Sequence, residues 1–287
     1  MKILLTGRNG QVGWELERAL APLGEVVATD RSTLDLADPD AIQRVVREVK
    51  PDIIVNAAAY TAVDKAESEP ELAMRINGFV PGVFAEEAKR LGALLVHYST
   101  DYVFDGEKAG PYLEDDEPNP INAYGKSKLA GEQAVLNSGC LSLVLRTSWV
   151  YGGRGANFLL TVLRLARERS ELRVVNDQFG APTWCRAIAR SSAGIVRRML
   201  GERLPSGVYH VTNRGRTSWF GFATEALRQT HSETPVRAIP SSEYPTPAKR
   251  PTNSVLDGEK LERVFGMVLP DWRESLEECL VGLDTGH

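Results

Sequence analysis

The chain opens with Leu4-Leu5-Thr6-Gly7-Arg8-Asn9-Gly10-Gln11-Val12-Gly13, a short apolar run that leads directly into three glycines spaced three residues apart. In a strand–turn–helix unit, Gly7 permits the tight turn and Gly10 lets the backbone approach a diphosphate. Gly13 lets the helix pack closely on the strand, and the amides of Gln11 and Val12 at the helix start face the phosphates. The stretch predicts a dinucleotide-binding unit, whereas a glycine-rich turn without a ligand is the alternative.

The first half of the chain continues this alternation of short apolar runs with amphipathic stretches. Strands are predicted at 2–6, 25–29, 53–56, 93–98, 141–146 and 208–211. Helices are predicted at 12–21, 39–49, 71–90, 123–137, 157–169, 186–200 and 218–229. The alternation predicts an α/β fold, a Rossmann-type doubly wound parallel sheet with helices on both faces.

In the last part of the chain, predicted strands and helices no longer alternate regularly. We expect this part to build a smaller lobe that interleaves with the first domain. Residues 1–164, with roughly 205–230, are predicted to form an NAD(P)-binding Rossmann domain. Roughly 165–204 and 231–287 are predicted to form the substrate-binding lobe, and the proline-rich region 234–251 is predicted to be mostly loop.

Composition and charge narrow the classes of function. The 287 residues carry a net charge of −4, which gives no electrostatic reason to expect nucleic acid or an anionic membrane as a partner. Cys140, Cys185 and Cys279 are far apart and match neither a metal-ligand spacing nor a disulfide framework. The first apolar run is too short for a signal peptide and no run approaches a membrane span, so a cytoplasmic location is expected.

The end of the second predicted strand bears on the choice of cofactor. Asp30 lies where an acidic side chain would hold the adenosine ribose hydroxyls of NADH. Arg31 or Arg8 could instead receive the 2′-phosphate of NADPH. Asp35 and Leu36 are candidates for an adenine contact, although Asp35 also suits a turn before the next helix. The residues therefore leave NADPH and NADH both open.

Tyr124 and Lys128 lie four residues apart in a predicted helix, so their side chains share one face. A tyrosine hydroxyl has a pKa near ~10, which a neighbouring ammonium is expected to lower. Lys128 is also expected to bind the nicotinamide ribose, while Tyr124 gives a proton to the alkoxide formed by hydride transfer. Ser99 or Thr100, at a strand end, would polarise the carbonyl, and strand alternation lets only one of them face the site.

These motifs occur together with several longer matches, and the chain resembles the extended short-chain dehydrogenase/reductases. The matching stretches are 5–13, 56–67, 99–106, 124–128, 146–152, 177–183 and 249–254. The most specific of them is Asn56-Ala-Ala-Ala-Tyr-Thr-Ala-Val-Asp-Lys-Ala-Glu67. It is similar to members that reduce the C4 ketone of dTDP-4-dehydro-L-rhamnose to dTDP-L-rhamnose, and reduction of that nucleotide sugar is the implied activity.

The resemblance also implies roles for individual residues. Thr100 becomes the hydroxyl partner of Tyr124, and Asn77 is expected on the helix behind the site. Residues at a neighbouring strand end would border the cofactor: Ala57, Ala58, Ala59 and Tyr60. Residues expected at the substrate are Thr100, Asp101, Tyr102, Trp149, Gln178 and Arg250. Trp149 would stack on the sugar or on thymine, and Arg250 would grip the diphosphate.

Some relatives form homodimers through a bound Mg²⁺ ion held by glutamates. Glu15 matches one such ligand, but Arg186 stands where another acid would be expected, so the resemblance gives little reason to expect the metal here. A homodimer is still a possible assembly.

Two alternatives to this activity remain at the level of sequence. The first is another reductase or an epimerase that acts on a different nucleotide-linked 4-keto sugar. The second is a non-catalytic regulatory protein, because the beta subunit of methionine adenosyltransferase also resembles this family. Turnover of a nucleotide sugar distinguishes an enzyme from a regulatory protein.

Overall fold

The computed structural model describes residues 1–284. The strands are β1 (Lys2–Thr6), β2 (Glu25–Thr29), β3 (Ile53–Asn56), β4 (Leu94–Thr100), β5 (Ser142–Thr147), β6 (Val150–Tyr151), β7 (Leu172–Val175), β8 (Phe179–Gly180), β9 (Thr183–Trp184), β10 (Gly207–His210), β11 (Thr217–Ser218) and β12 (Val236–Ile239). The α-helices are α1 (Gln11–Leu20), α2 (Pro39–Val49), α3 (Val63–Ala66), α4 (Pro70–Ala73), α5 (Val80–Leu91), α6 (Ala123–Ser138), α7 (Phe158–Glu168), α8 (Cys185–Gly201), α9 (Trp219–Gln229), α10 (Glu259–Phe265) and α11 (Trp272–Asp284). Single turns of 3₁₀ helix lie at Ala21–Leu23, Asp101–Val103 and Ser241–Glu243.

Six strands form the central sheet in the order β10-β5-β4-β3-β1-β2, and every neighbouring pair is parallel. The chain runs from β1 to β2 on one side and from β3 onward on the other, so the order of the strands reverses between β1 and β3. In doubly wound folds this reversal opens a crevice at the carboxyl ends of the strands, where ligands bind. The predicted α/β fold is confirmed, and its crevice lies where the glycine loop follows β1.

Both faces of the sheet are buried, as parallel strands require. Along β1, Ile3 and Leu5 pack on one face with α1 and α8, whereas Leu4 packs on the other face with α2 and α5. Helix α8, which the sequence placed in the second lobe, therefore covers the central sheet, and Ile188 belongs to the same core as Ile3.

Three small two-stranded sheets build the region beside the crevice: β6 with β9, β7 with β12, and β8 with β11. Helices α7 and α9 cover the β7–β12 pair through a core that includes Val162, Leu172 and Leu227. Region 234–251 lies mostly outside helices and strands, as predicted, but it also contains β12, which the sequence analysis did not predict. Pro235 and Pro240 flank this strand instead of interrupting it, so its amides are free to pair with β7.

The part of the chain that the structure describes contains no helix that combines the length and apolar character needed to cross a membrane.

Candidate active site

The glycine loop fits tightly against the end of β3. Gly7 has φ +77°, and a Cβ there would lie 3.0 Å from the backbone N and Cα of Ala58. A Cβ at Gly13 would lie 2.0 Å from the carbonyl oxygen of Gly7, so only glycine lets α1 approach the turn this closely. Both glycines have the steric reason that the sequence predicted, and the turn leaves the amides at the start of α1 facing the crevice.

The predicted ribose-binding region already contains an ordered hydrogen-bond network around Asp30. Its carboxylate accepts from the Ser32 hydroxyl at 2.6 Å, the Ser32 amide at 2.9 Å and the Asn9 amide group at 3.0 Å. These bonds, those from Ser32 first, lower the pKa of Asp30, so the group is ionised at neutral pH. Arg8 is paired with Glu17 at 2.8 Å.

Arg31, next to Asp30, is exposed and has no ion pair within residues 1–284. Of the two arginines considered for the 2′-phosphate, Arg31 is therefore the one whose guanidinium is uncommitted. Asp35 accepts a hydrogen bond from the Ala37 amide at 2.9 Å, which is the turn role that the sequence allowed, and Leu36 packs at the edge of the core formed with α2.

Asn77 connects the loop after β3 to the helix that carries Tyr124. It lies in a π-type turn at Met74–Phe79 that interrupts the single helix predicted at 71–90. Its side chain accepts from the Tyr60 amide at 2.8 Å and donates to the Tyr60 carbonyl at 2.9 Å and to the Ser127 hydroxyl at 3.0 Å. Turns of this kind are frequent at functional sites, and this one brings Asn77 between the loop after β3 and α6.

Helix α6 begins at Asn122, whose side chain caps it by accepting from the Gly125 amide at 2.7 Å. The helix start also receives Glu67, whose carboxylate accepts from the Ala123 amide at 2.7 Å. A Cβ at Gly125 would lie 2.1 Å from the Tyr102 carbonyl oxygen, which explains a glycine within the first turn of a helix. These contacts fix the start of α6, and Tyr124 with it, against the segment that follows β4.

Lys128 lies one turn after Tyr124 and is buried. Its ammonium donates to the Tyr98 carbonyl at 2.6 Å, and burial lowers its pKa to about 8, against an opposing effect of Glu132. Burial raises the pKa of Tyr124 to about 12, and a hydrogen bond with Thr100 lowers it only in part. The expected lowering of the Tyr124 pKa by Lys128 is not found, because Lys128 donates to a β4 carbonyl and burial dominates.

Thr100, and not Ser99, lies beside Tyr124. The Thr100 hydroxyl donates to the Asp101 carboxylate at 3.0 Å and accepts from the Tyr102 amide at 3.2 Å, while the buried Ser99 hydroxyl has no partner in the described part of the chain. Burial raises the pKa of Asp101 to about 7, although Ser254 and Thr100 donate to it. The rings of Tyr102 and Tyr124 meet edge to face, with centroids 5.9 Å apart.

Trp149 lies beyond the end of β5, and both faces of its indole are covered. Trp219 stacks on one face, with centroids 3.5 Å apart and an interplanar angle of 3°. A Cβ at Gly180 would lie 2.4, 2.6 and 2.9 Å from three indole atoms, with no Trp219 atom nearer, so Gly180 covers the opposite face. The structure leaves no face of Trp149 for the expected stacking on a sugar or base and leaves only its edge for a ligand.

Trp149 also has an unusual backbone conformation, with φ +47°. A bulky residue in this region is strained by roughly 1–3 kcal/mol, and such strain persists where the surroundings fix it. The surroundings here are the β6–β9 pair and the bond from the Thr183 amide to the Trp149 carbonyl at 3.2 Å. No sequence signal pointed to Gly180 or Trp219 as partners of Trp149.

The two remaining substrate candidates differ in their surroundings. Gln178 lies in the turn between β7 and β8, is half-buried, and has no side-chain hydrogen bond within residues 1–284. Arg250 forms a two-point ion pair with Asp64, at 3.0 and 2.8 Å, which joins α3 to the loop before Ser254. Asp64 and Glu67 are functional neighbours that the residue-level argument missed, although both lie in the most specific of the matching stretches.

Glu15, the candidate metal ligand, is paired with Arg186 at 3.1 Å. Residues 1–284 contain no group of three or more histidine, cysteine or acidic side chains arranged to hold a metal ion. The pairing gives the Glu15 carboxylate a counter-charge from the chain itself.

The parallel sheet, the glycine loop at its strand reversal and the Thr100–Tyr124–Lys128 group define the class of protein as an extended short-chain dehydrogenase/reductase. A family model described as the RmlD substrate binding domain matches residues 1–284, and relatives of 52% and 47% identity over nearly the whole chain are dTDP-4-dehydrorhamnose reductases. The chain belongs to the dTDP-4-dehydrorhamnose reductase family, as the resemblance predicted.

The relatives match along their full length. The enzyme of Burkholderia thailandensis is the one at 52% identity, over 98% of this chain and 98% of its own. The crystal structure of a dTDP-4-dehydrorhamnose reductase from Clostridium acetobutylicum has a TM-score of 0.94 at 41% identity, covering 99% of this chain and 100% of that one. The Bacillus anthracis enzyme in complex with NADP has a TM-score of 0.90 at 37% identity, covering 98% of each chain.

Proposed function

We propose that this protein reduces the C4 ketone of dTDP-4-dehydro-L-rhamnose to dTDP-L-rhamnose with NADPH or NADH. Family membership supports the reaction, and the NADP complex of the Bacillus anthracis relative supports the cofactor. The observation that carries the proposal is that Thr100, Tyr124 and Lys128 lie together beside the crevice, with the glycine loop at its other side.

The chain fits a dinucleotide because the glycine loop has room for backbone approach and presents amides at the start of α1. When bound, the cofactor supplies the hydride. Gly7, Gly10, Gln11, Val12 and Gly13 would hold its diphosphate. The other residues proposed to hold it are Asp30, Arg31, Asp35, Leu36, Ala57, Ala58, Ala59, Tyr60, Tyr124 and Lys128.

In the proposed reaction Tyr124 is the proton donor. Its pKa of about 12 keeps the hydroxyl protonated at neutral pH, which is the form that a reduction requires. While Tyr124 gives its proton to the alkoxide on C4, the Lys128 ammonium would hold the nicotinamide ribose of the cofactor by hydrogen bonds. The Thr100 hydroxyl, which donates to Asp101 in the free protein, would turn to donate its proton to the ketone oxygen and polarise it.

The nucleotide sugar would lie between these groups and the loops of the small sheets. Asp101 and Tyr102 border the proton donor, Trp149 would present its indole edge to the sugar, and Gln178 and Arg250 would contact the nucleotide. Burial keeps the Asp101 carboxyl partly protonated near neutral pH, because its pKa is about 7, so it can donate as well as accept.

We propose the domain assignment that the sequence predicted. Residues 1–164 and about 205–230 would bind the nicotinamide cofactor, and the remainder would bind the nucleotide sugar. Two contacts favour an adjustment of its boundaries. Helix α8 shares the core of β1 and belongs with the sheet, whereas α9 lies between the two parts, since Phe222 packs in the core of β1 and Leu227 packs with β7. A cytoplasmic location and a homodimer are predictions that accompany this proposal.

The direct test is to follow NADPH and NADH absorbance with dTDP-4-dehydro-L-rhamnose generated in place by the preceding epimerase. Rapid oxidation with formation of dTDP-L-rhamnose would support the proposal, and the two KM values would give the cofactor preference. A preference above roughly a hundredfold, about 2.7 kcal/mol, would exclude dual use.

The same assay addresses the alternatives. Oxidation only with a different nucleotide sugar would favour a sibling reductase, and cofactor that survives purification would favour an epimerase. Bound cofactor without turnover of any nucleotide sugar would favour a regulatory protein.

A further inference from the structure

The Asp64 carboxylate holds Arg250 in place by accepting hydrogen bonds from the two terminal nitrogens of its guanidinium. Nη1 donates to Asp64 Oδ1 at 3.0 Å and Nη2 donates to Asp64 Oδ2 at 2.8 Å. The second proton of Nη1 is directed to the Ala248 carbonyl at 3.1 Å. Asp64 also accepts from the Ala248 amide at 3.2 Å, so the carboxylate, the guanidinium and this backbone segment form one closed unit.

This arrangement leaves a defined pair of donors. A guanidinium has five N–H groups in a fixed plane, and three of those on Arg250 are engaged by Asp64 and Ala248. The two that take part in no hydrogen bond within residues 1–284 are Nε–H and the outer Nη2–H. Those two point in the same direction along one edge of the guanidinium, which is the geometry that grips two oxygens of a phosphate.

The free edge belongs to a side chain that lies near the proton donor. Asn122, which caps the catalytic helix, donates to the Lys249 carbonyl at 2.8 Å and so joins this segment to α6. The Tyr102 ring meets that of Tyr124 edge to face, with centroids 5.9 Å apart, and the Arg250 guanidinium partly opposes the rise that burial causes in the pKa of Tyr102, so the three side chains lie in one neighbourhood. The Arg250 side chain is 21% exposed, so it is anchored on one edge and open to solvent in part.

Asp64 is ionised in this pair, since the bonds from Arg250 lower its pKa despite partial burial. An ionised partner fixes both the plane and the rotation of the guanidinium, so little side-chain freedom is left to lose when an anion binds. A free arginine of the same charge would pay that entropy on each binding event.

We propose that Asp64 is a positioning residue that holds Arg250 with its Nε–Nη2 edge presented to the diphosphate of the nucleotide sugar. This inference rests on the proposed function for the nature of the ligand. It assigns the Asp64 of the most specific sequence stretch to substrate recognition through Arg250, without contact between Asp64 and the sugar nucleotide.

The test compares dTDP with thymidine, which lacks the phosphates, by calorimetry on the full chain. We expect Arg250→Lys to weaken dTDP binding roughly tenfold, because the two-point contact is lost. We expect Asp64→Asn to weaken dTDP binding by a similar factor, while thymidine and NADPH bind as in the unchanged protein. The matched control is Glu168→Gln, which removes the charge from an exposed ion pair with Arg164 and should change none of these affinities.

The double variant separates positioning from an independent effect. If Asp64 acts through Arg250, dTDP binding in Asp64→Asn/Arg250→Lys should equal that in Arg250→Lys alone. A loss of dTDP affinity in the double variant that multiplies the losses of the two single variants would overturn the inference. So would a loss of thymidine affinity equal to the loss of dTDP affinity, or a gain in dTDP affinity in Asp64→Asn. If binding of the diphosphate depends on both residues but the protein reduces some other sugar, this inference stands and the proposed substrate fails.

Discussion

The catalytic helix and the pocket around Trp149 are built in opposite ways. Tyr124 and Lys128 are placed by one helix, with a local cap at Asn122 and one turn between the two side chains. Trp149 is placed by Gly180 and Trp219, which belong to different strands and helices far along the chain. The first arrangement follows from five consecutive residues, whereas the second exists only after the small sheets have formed.

The difference explains what each region contributes. A helix gives a fixed distance between proton donor and ammonium whatever the rest of the chain does, which suits groups that must act on any substrate of the class. Contacts between distant loops shape the walls of the site, and such walls vary without disturbing the helix. We therefore expect damage to the first region to lower kcat and damage to the second to raise KM for the nucleotide sugar.

The largest effect is expected from Tyr124→Phe. Removal of the hydroxyl removes the proton donor but keeps the ring that packs against Tyr102, so kcat should fall about 10²–10⁴-fold. The dissociation constant of NADPH, measured by fluorescence, should change little. Full activity in this variant would show that another group delivers the proton.

The next effect concerns the buried ion pair that joins α6 to β5, the strand that precedes Trp149. Glu132 on α6 pairs with Arg146 on β5 at 2.6 Å, and the two side chains are 1% and 3% exposed. Glu132→Ala leaves a buried, uncompensated guanidinium and should lower the free energy of unfolding by about 3–5 kcal/mol. Denaturant unfolding measures this, with Glu168→Ala as a control that removes an exposed pair and should cost less than about 1 kcal/mol. Equal losses of unfolding free energy in Glu132→Ala and Glu168→Ala would contradict the expectation that the buried pair contributes more than the exposed one.

The fold and the grouping of Thr100, Tyr124 and Lys128 were predictable because their signals are local. The strand at 2–6, the glycine loop and the Tyr124–Lys128 spacing each occupy a few adjacent residues with a fixed period. Strand β12 was missed because flanking prolines in a proline-rich region are typical of loops, and only its pairing with β7 shows that they bracket a strand.

The walls of the site could not be predicted in the same way. The sequence contains Trp149, Gly180 and Trp219, but their stacking depends on which strands pair. The pKa of Tyr124 was predicted in the wrong direction because the sequence shows a nearby ammonium but not the burial that outweighs it. Asp64 was visible as part of a specific stretch, yet its partner Arg250 is brought to it only by the folded chain.

A smaller effect is expected from Gly180→Ala, which tests the second region directly. The added methyl group would lie 2.4 Å from the indole of Trp149 and must displace it, at a cost of about 1–3 kcal/mol. We expect KM for the nucleotide sugar to rise more than kcat falls, and the tryptophan fluorescence to shift. Gly201→Ala is the matched control, because a Cβ at Gly201 meets nothing within 4 Å. An unchanged KM in Gly180→Ala would remove Trp149 from the proposed sugar contacts.

The smallest effect returns to the catalytic helix and concerns pH. Burial lowers the pKa of Lys128 to about 8, so its ammonium is present below that pH and is lost above it. Because the ammonium is proposed to hold the nicotinamide ribose, kcat/KM for NADPH should fall as pH rises through about 8. Glu132 opposes the lowering, so Glu132→Gln should move this fall to lower pH, whereas Lys128→Arg, which keeps its charge, should remove it from the neutral range. A fall at the same pH in all three proteins would assign the titration to a different group, and the catalytic helix would then be no more self-contained than the loops around Trp149.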